Sequence, residues 1–273
     1  MKILIPIDFT PVTENALKYA IEFTKSGSYE ITLFHVVDSD KETAKAIVKL
    51  NDMAAKYADE TSAKINAMVQ TGNIFDCIGE AAKEIEAYLI IMATHGIKGM
   101  QHIIGSRAMR VITHSQTPYI VIQNKPWRNI NNILVPVDFT KEGKQVLPFL
   151  GQLASQFKSA LHLFSQRSDD DFLQNRIDNN IAYFESYFEE NNIAFKILSD
   201  RFEKLKYNII INEANKIDAD LIVTSIDPET NITDYMMGVD EQKIVANESQ
   251  IPVLCINTKS VSSISGNVFE SLG

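Results

Sequence analysis

The residues best suited to chemistry lie in one loop, Thr94-His95-Gly96-Ile97-Lys98-Gly99-Met100-Gln101-His102-Ile103-Ile104-Gly105-Ser106. Three glycines shortly before an expected helix are what a phosphate cradle needs. Glycine lets a backbone N–H approach an anion closely, and a helix start offers free N–H groups and a partial positive charge. Lys98 adds a cation within reach of a phosphate from the same loop. The plainer alternatives stand beside this reading. Gly96 and Gly99 also suit ordinary turns, Gly105-Ser106 also suits a simple helix start, and Asp8 also suits capping of the turn at Thr10.

Other constellations point to less. His35, His95, His102, His114 and His162 show no ligand spacing, so no metal centre is expected. No G-x-S-x-G elbow exists for a serine hydrolase. Asp8-Phe9-Thr10-Pro11 stands where an ATP-pyrophosphatase loop would carry serine and paired glycines, which leaves adenylate-forming chemistry without support. Cys77 and Cys255 fit no C-x-x-C pattern and are expected as buried apolar fillers. Asp169-Asp170-Asp171 reads as a solvated loop or helix start.

The elements that must position these residues are written twice along the chain. Lys2-Ile3-Leu4-Ile5-Pro6-Ile7-Asp8-Phe9-Thr10 returns as Asn132-Ile133-Leu134-Val135-Pro136-Val137-Asp138-Phe139-Thr140, and Leu33-Phe34 returns as Leu163-Phe164. Ala87–Ile91 is matched by Ala219–Val223, and Thr117–Ile122 by Ile251–Ile256. Ordered matches at slowly growing offsets indicate duplication with small loop insertions. Each copy alternates short apolar runs with helical periodicity, which predicts right-handed crossovers and an open parallel sheet.

In the first copy strands are expected over 3–7, 31–37, 67–70, 88–93 and 119–123. Thr10 should cap a helix that has Pro11 at its first position and Ala16, Leu17, Ala20 and Ile21 on its inner face. Longer helices are expected over 42–64, with Ala44, Ile47, Val48, Ala54 and Ala58 inward, and over 75–86 and 105–115. Domains are expected at 1–125 and 130–258, joined by a linker at Asn124–Arg128 and followed by a tail at 259–273. Ligands of such sheets gather beyond the carboxyl ends of the strands. In the first copy that edge collects Asp8, Val36, Met92, Ala93 and the glycine loop.

The chain has 273 residues, 45% of them hydrophobic and 22% charged, a balance that excludes wholesale disorder. Its net charge of −9 argues against a nucleic-acid surface. The excess of acid sits in the second half. Residues 1–125 carry 13 basic and 14 acidic side chains, whereas residues 126–273 carry 13 and 21. No apolar run approaches the ~20 residues of a membrane span, so no membrane association is expected and the cytoplasm is the expected compartment.

Ile5-Pro6-Ile7-Asp8-Phe9-Thr10, Leu33-Phe34-His35-Val36-Val37-Asp38, Met92-Ala93-Thr94-His95-Gly96, Gly105-Ser106 and Pro118-Tyr119-Ile120-Val121 resemble the universal stress protein family. The resemblance runs through both copies, as in tandem members. It implies two α/β domains of the Rossmann-like, adenine nucleotide alpha hydrolase-like type, each an open five-stranded parallel sheet flanked by helices. It also implies pairing through the last strands of the two copies, an internal pseudo-dimer that the linker after Gln123 has the reach to allow, at roughly 25 Å. One subgroup of the family binds ATP through G-x2-G-x9-G-[ST].

On that pattern Asp8 would face the adenine or ribose, and Val36 would meet the adenine through its backbone. Met92 and Ala93 would line the nucleotide, while Gly96, Gly105 and Ser106 would hold phosphates, with ATP and Mg²⁺ as the implied cofactors. Lys98 has no counterpart in the motif. Ala93 stands in place of the first glycine, and only the eight residues Ile97–Ile104 separate Gly96 from Gly105, one fewer than the motif.

The second copy keeps Asp138 but has Gln166 for Val36, Asp227-Pro228-Glu229 for His95-Gly96-Ile97, and Gly238-Val239-Asp240 for Gly105-Ser106. Carboxylates aimed at a phosphate repel it. That half is expected to be structural or partner-facing. The whole reads as a nucleotide-responsive regulatory or stress-protective module with unidentified protein partners. Two alternatives stand, a nucleotide-free interaction scaffold and a slow ATP hydrolase, for which only Asp8 and His95 offer themselves.

Overall fold

In the computed structural model the described residues are 1–61, 63–94, 116–137, 144, 146–202, 205–226 and 239–257. The chain divides into two units, Met1–Trp127 and Arg128–Gly273.

The first unit runs β1 (Lys2–Pro6), α1 (Pro11–Thr24), β2 (Glu30–Val37), α2 (Asp40–Thr61), β3 (Lys64–Thr71), α3 (Ile74–Glu84), β4 (Leu89–Ala93) and β5 (Tyr119–Ile122). Its strands lie in the order β3-β2-β1-β4-β5 and each neighbouring pair is parallel. β1, β4 and β5 are covered on both faces and are almost wholly apolar. That is why they read as unbroken hydrophobic runs rather than alternating ones.

The second unit follows with β6 (Asn132–Val137), α4 (Leu147–Phe157), β7 (Ala160–Arg167), α5 (Asp171–Glu190), β8 (Phe195–Arg201), α6 (Tyr207–Lys216), β9 (Leu221–Ile226), α7 (Val239–Val245) and β10 (Val253–Asn257). Within it the order is β8-β7-β6-β9-β10, again parallel. The repeat holds at the level of register. Pro6 pairs with Phe34 in one unit and Pro136 with Phe164 in the other.

Several elements differ from what periodicity predicts. β3 spans Lys64–Thr71, twice the length expected, because its whole run pairs with β2. α2 buries Ala46, Leu50, Ala54 and Tyr57, while Val48 and Ala44 face solvent. Ala54 faces inward as expected and Ile47 and Ala58 are half-buried, but the seam follows Leu50 and Tyr57, whose larger side chains bury more area than Ala44 would. α1 does bury Ala16, Leu17, Ala20 and Ile21.

Pro11 opens α1, but the Thr10 hydroxyl does not cap it. That hydroxyl donates to Asp8 Oδ1 at 2.6 Å, and it is the Asp8 carboxylate that accepts the Thr10 N–H at this turn. The stretch read as a linker is partly docked. Trp127 packs edge-on against Tyr19, and Asn15 Nδ2 donates to the Lys125 carbonyl at 3.4 Å.

Arg128 opens the second unit with a fork onto Asp218, at 2.9 and 2.7 Å. Its Nε lies 3.4 Å from Asp220, whose side chain is only 1% exposed. Asp220 Oδ2 also accepts from the backbone N–H groups of Asn131 and Asn132. These carboxylates raise the Arg128 pKa. Cys77 and Cys255 are both buried free thiols, and burial raises the pKa of each. Asp170 caps α5 by accepting from Phe172 and Leu173 N–H, which makes the triple aspartate a helix start as expected. Among the described residues no helix is long and apolar enough to cross a membrane, and no group of three or more potential metal ligands occurs.

Candidate functional site

β1 lies between β2 and β4, and all three run the same way, so their carboxyl ends share one edge of the first unit. That edge carries Asp8 just beyond β1, Val36 near the end of β2, and Met92 and Ala93 at the end of β4. Asp8 and half-buried Val36 are open to solvent, and Met92 and Ala93 are buried. Gly96, Lys98, Gly105 and Ser106, with the expected helix over 105–115, lie outside the described residues.

Asp8 is fixed by its own turn. Its Oδ1 accepts from Thr10 N–H at 2.9 Å, from the Thr10 hydroxyl at 2.6 Å and from the Thr13 hydroxyl at 2.9 Å. The capping role weighed against a binding role is therefore present. It leaves the carboxylate pre-oriented at the edge, where a ligand would meet it without an ordering cost.

Three features of this edge escaped the sequence reading. Phe9 follows β1 with φ of 63°, in the left-handed region that a bulky side chain rarely adopts. Its ring lies 4.7 Å from that of His35 and beneath Lys49 Nζ, which stands 3.9 Å from the ring centre. His35 Nδ1 donates to the Ile7 carbonyl at 2.6 Å, which fixes the tautomer of the neutral ring with Nε2 as the acceptor. No single-residue signal marks a left-handed Phe, and Lys49 reaches the edge from the middle of α2.

The third feature is Thr94, directly after β4. Its backbone N–H donates to the Ile122 carbonyl at 2.9 Å. Its hydroxyl is fully buried and has no hydrogen-bond partner among the described residues. A buried hydroxyl without a partner is costly, and a polar ligand atom at this edge would satisfy it. The residues present thus fit a polar ligand.

Behind the edge, α2 is tied to α1 by a short hydrogen bond from the Tyr57 hydroxyl to Glu14, which holds the Glu14 carboxyl below its usual range.

At the corresponding edge of the second unit Gln166, which has replaced Val36, is buried beside Ser165 on β7. Asp138, Asp227, Glu229 and Gly238 lie outside the described residues, and Asp240 falls in α7.

Comparison with known proteins places these observations in a family. The model of the universal stress protein family matches residues 1–123. The chain is 31% identical over 138 residues to universal stress protein MJ0531 of Methanocaldococcus jannaschii, a match covering 45% of this chain and 81% of that protein. It is 26% identical over 155 residues to universal stress protein MJ0577 of the same organism, covering 45% of this chain and 95% of the relative. Among solved structures, a universal stress protein from Archaeoglobus fulgidus superposes with a TM-score of 0.77 at 18% identity, over 94% of this chain and 98% of that one. PA1789 of Pseudomonas aeruginosa does so with a TM-score of 0.67 at 14% identity, over 96% and 95%. These two likenesses bear on the fold. With the family model over the first unit and a 31% identical relative matched across most of its length, the chain belongs to the universal stress protein family.

Proposed function

We propose that the chain is an ATP-responsive regulatory or stress-protective module of the cytoplasm, with its nucleotide site in the first unit only. The observation that carries this reading is the shared carboxyl edge of β1, β2 and β4. That edge carries the pre-oriented Asp8, Val36 and Thr94, whose buried hydroxyl has no partner among the described residues. Asp8 and the Val36 backbone would hold the nucleoside, and Met92 and Ala93 would line it. Gly96, Lys98, Gly105 and Ser106 would take the phosphates, with Mg²⁺ as their counter-ion. Occupancy by ATP would change the surface that the Thr94–Gly105 loop offers to protein partners.

Mass spectrometry of small molecules released from the freshly purified, denatured protein tests the reading, together with calorimetry against ATP and Mg²⁺. Released adenine nucleotide, or saturable heat lost in Gly105→Val, is the expected result. One charge-assisted hydrogen bond to a phosphate is worth ~1.5–3 kcal/mol, so closing the cradle lowers affinity at least about tenfold. The second reading, a nucleotide-free scaffold, is favoured by Ala93 in place of a glycine and by the eight-residue spacing of Gly96 and Gly105. Absence of heat at millimolar ATP and Mg²⁺ would decide for it.

A further inference from the structure

The duplication permits a comparison inside one chain. On β2 and β3 the face turned toward α2 carries His35, Val37, Ala67, Val69 and Thr71. The register-equivalent positions on β7 and β8 carry Ser165, Arg167, Ile197, Ser199 and Arg201. A mostly apolar surface in the first unit has thus become hydroxylated and cationic in the second.

Arg167 and Arg201 are paired in register on neighbouring strands. Such strands lie only about 4.8 Å apart, and like charges held side by side at that spacing destabilise a sheet unless an anion joins them. The described residues supply little of one. Among the described residues Arg201 has one long ion-pair contact, 3.7 Å to Asp169, and both side chains are largely exposed, at 78% and 90%. Arg167 Nε donates to Ser199 Oγ at 3.0 Å, and no carboxylate among the described residues lies within ion-pair distance of Arg167.

These groups line a cavity of about 440 Å³ between the carboxyl ends of β7 and β8 and the start of α5, with Ser165, Gln174 and Asp178 also in its wall. Gln174 links the Ser168 N–H to Asp178, at 2.8 Å on each side. The first N–H groups of α5 are already taken by Asp170, so the helix end has little left to offer an anion.

We infer that the second unit has its own binding site, for a small phosphorylated molecule. Its phosphate is bridged by Arg167 and Arg201 with help from Ser199, and its hydroxyl groups meet the Asp178 carboxylate on the opposite wall. Guanidinium forks match a tetrahedral dianion, and a phosphate displaces the exposed Asp169 easily because that contact is long and solvated. This site is separate from the proposed nucleotide edge of the first unit.

The test is calorimetric titration of the full chain with ribose 5-phosphate at constant ionic strength, with ribose as control. Saturable heat is expected for the phosphate ester and none for the free sugar. Affinity falls about tenfold or more in R167Q/R201Q, whose exposed side chains leave the fold intact by circular dichroism. The same titration on Gly105→Val, whose first-unit cradle is closed, still gives the full heat, so this site stands or falls apart from the ATP reading. No heat at millimolar ribose 5-phosphate, equal heat with ribose, or undiminished binding in R167Q/R201Q would overturn the inference.

Discussion

Asp8 holds the turn of the fold and stands at the proposed site. Its Oδ1 gathers three hydrogen bonds from the turn that starts α1. Asp8→Ala is expected to lower stability by about 1 kcal/mol, the range of a lost acceptor at a helix start, and to weaken ATP binding as well. Chemical denaturation checks the first and calorimetry the second. His162 shows the opposite economy. Its Nε2 donates to Asn132 Oδ1 at 3.0 Å, while Nδ1 is buried without a partner among the described residues.

Burial, with a smaller push from Lys196, holds the His162 pKa below its ordinary value of 6.5. The unfolded chain therefore takes up a proton that the folded chain resists. Stability contributed by neutral His162 is complete above about pH 6.5 and is lost as pH falls below that value toward the folded-state pKa. Thermal melts across that window should slope less steeply in His162→Gln than in the parent chain. Equal slopes would remove His162 from the account.

At the scale of elements, two glycines in helices of equal length predict opposite outcomes. A Cβ added at Gly79 in α3 would meet nothing within 4 Å, whereas one at Gly151 in α4 would stand 3.1 Å from Tyr187 and 3.2 Å from Ile193. Gly79→Ala should stabilise by about 0.5–1 kcal/mol through helix propensity alone. Gly151→Val should cost about 1–3 kcal/mol by overpacking the approach of α4 to α5. Denaturation midpoints of the two variants check both signs.

How much of this was legible in the sequence depended on the range of the cause. The strands were legible because Ile3–Ile7 and its repeat are apolar without interruption, a local pattern. The inner face of α2 was not, because Leu50 and Tyr57 outweigh the evenly spaced Ala44 and Val48 only once β2 and β3 are beneath them. Asp8, Val36, Met92 and Ala93 could be gathered at one edge from strand order alone. The contact of Lys49 with Phe9, and the pairing of Arg167 with Arg201 across 34 positions, exist only through packing and register. Spacing along the chain carries no trace of either.

At the scale of the whole molecule the proposed sites make the duplicated units unequal. The first carries the proposed nucleotide edge, and the second carries Arg167 and Arg201 where its counterpart has Val37 and Thr71. Added ATP should therefore slow amide hydrogen exchange around β1, β2 and β4 while leaving β7 and β8 unchanged, and ribose 5-phosphate should do the reverse. The most direct measurement of the central claim is the stoichiometry of ATP on the intact chain in the presence of Mg²⁺, by calorimetry. The account predicts saturation at one nucleotide per chain, loss of that heat in Gly105→Val, and its retention in both Gly238→Val and R167Q/R201Q. Two equivalents per chain, or one equivalent that survives Gly105→Val and vanishes with Gly238→Val, would contradict it.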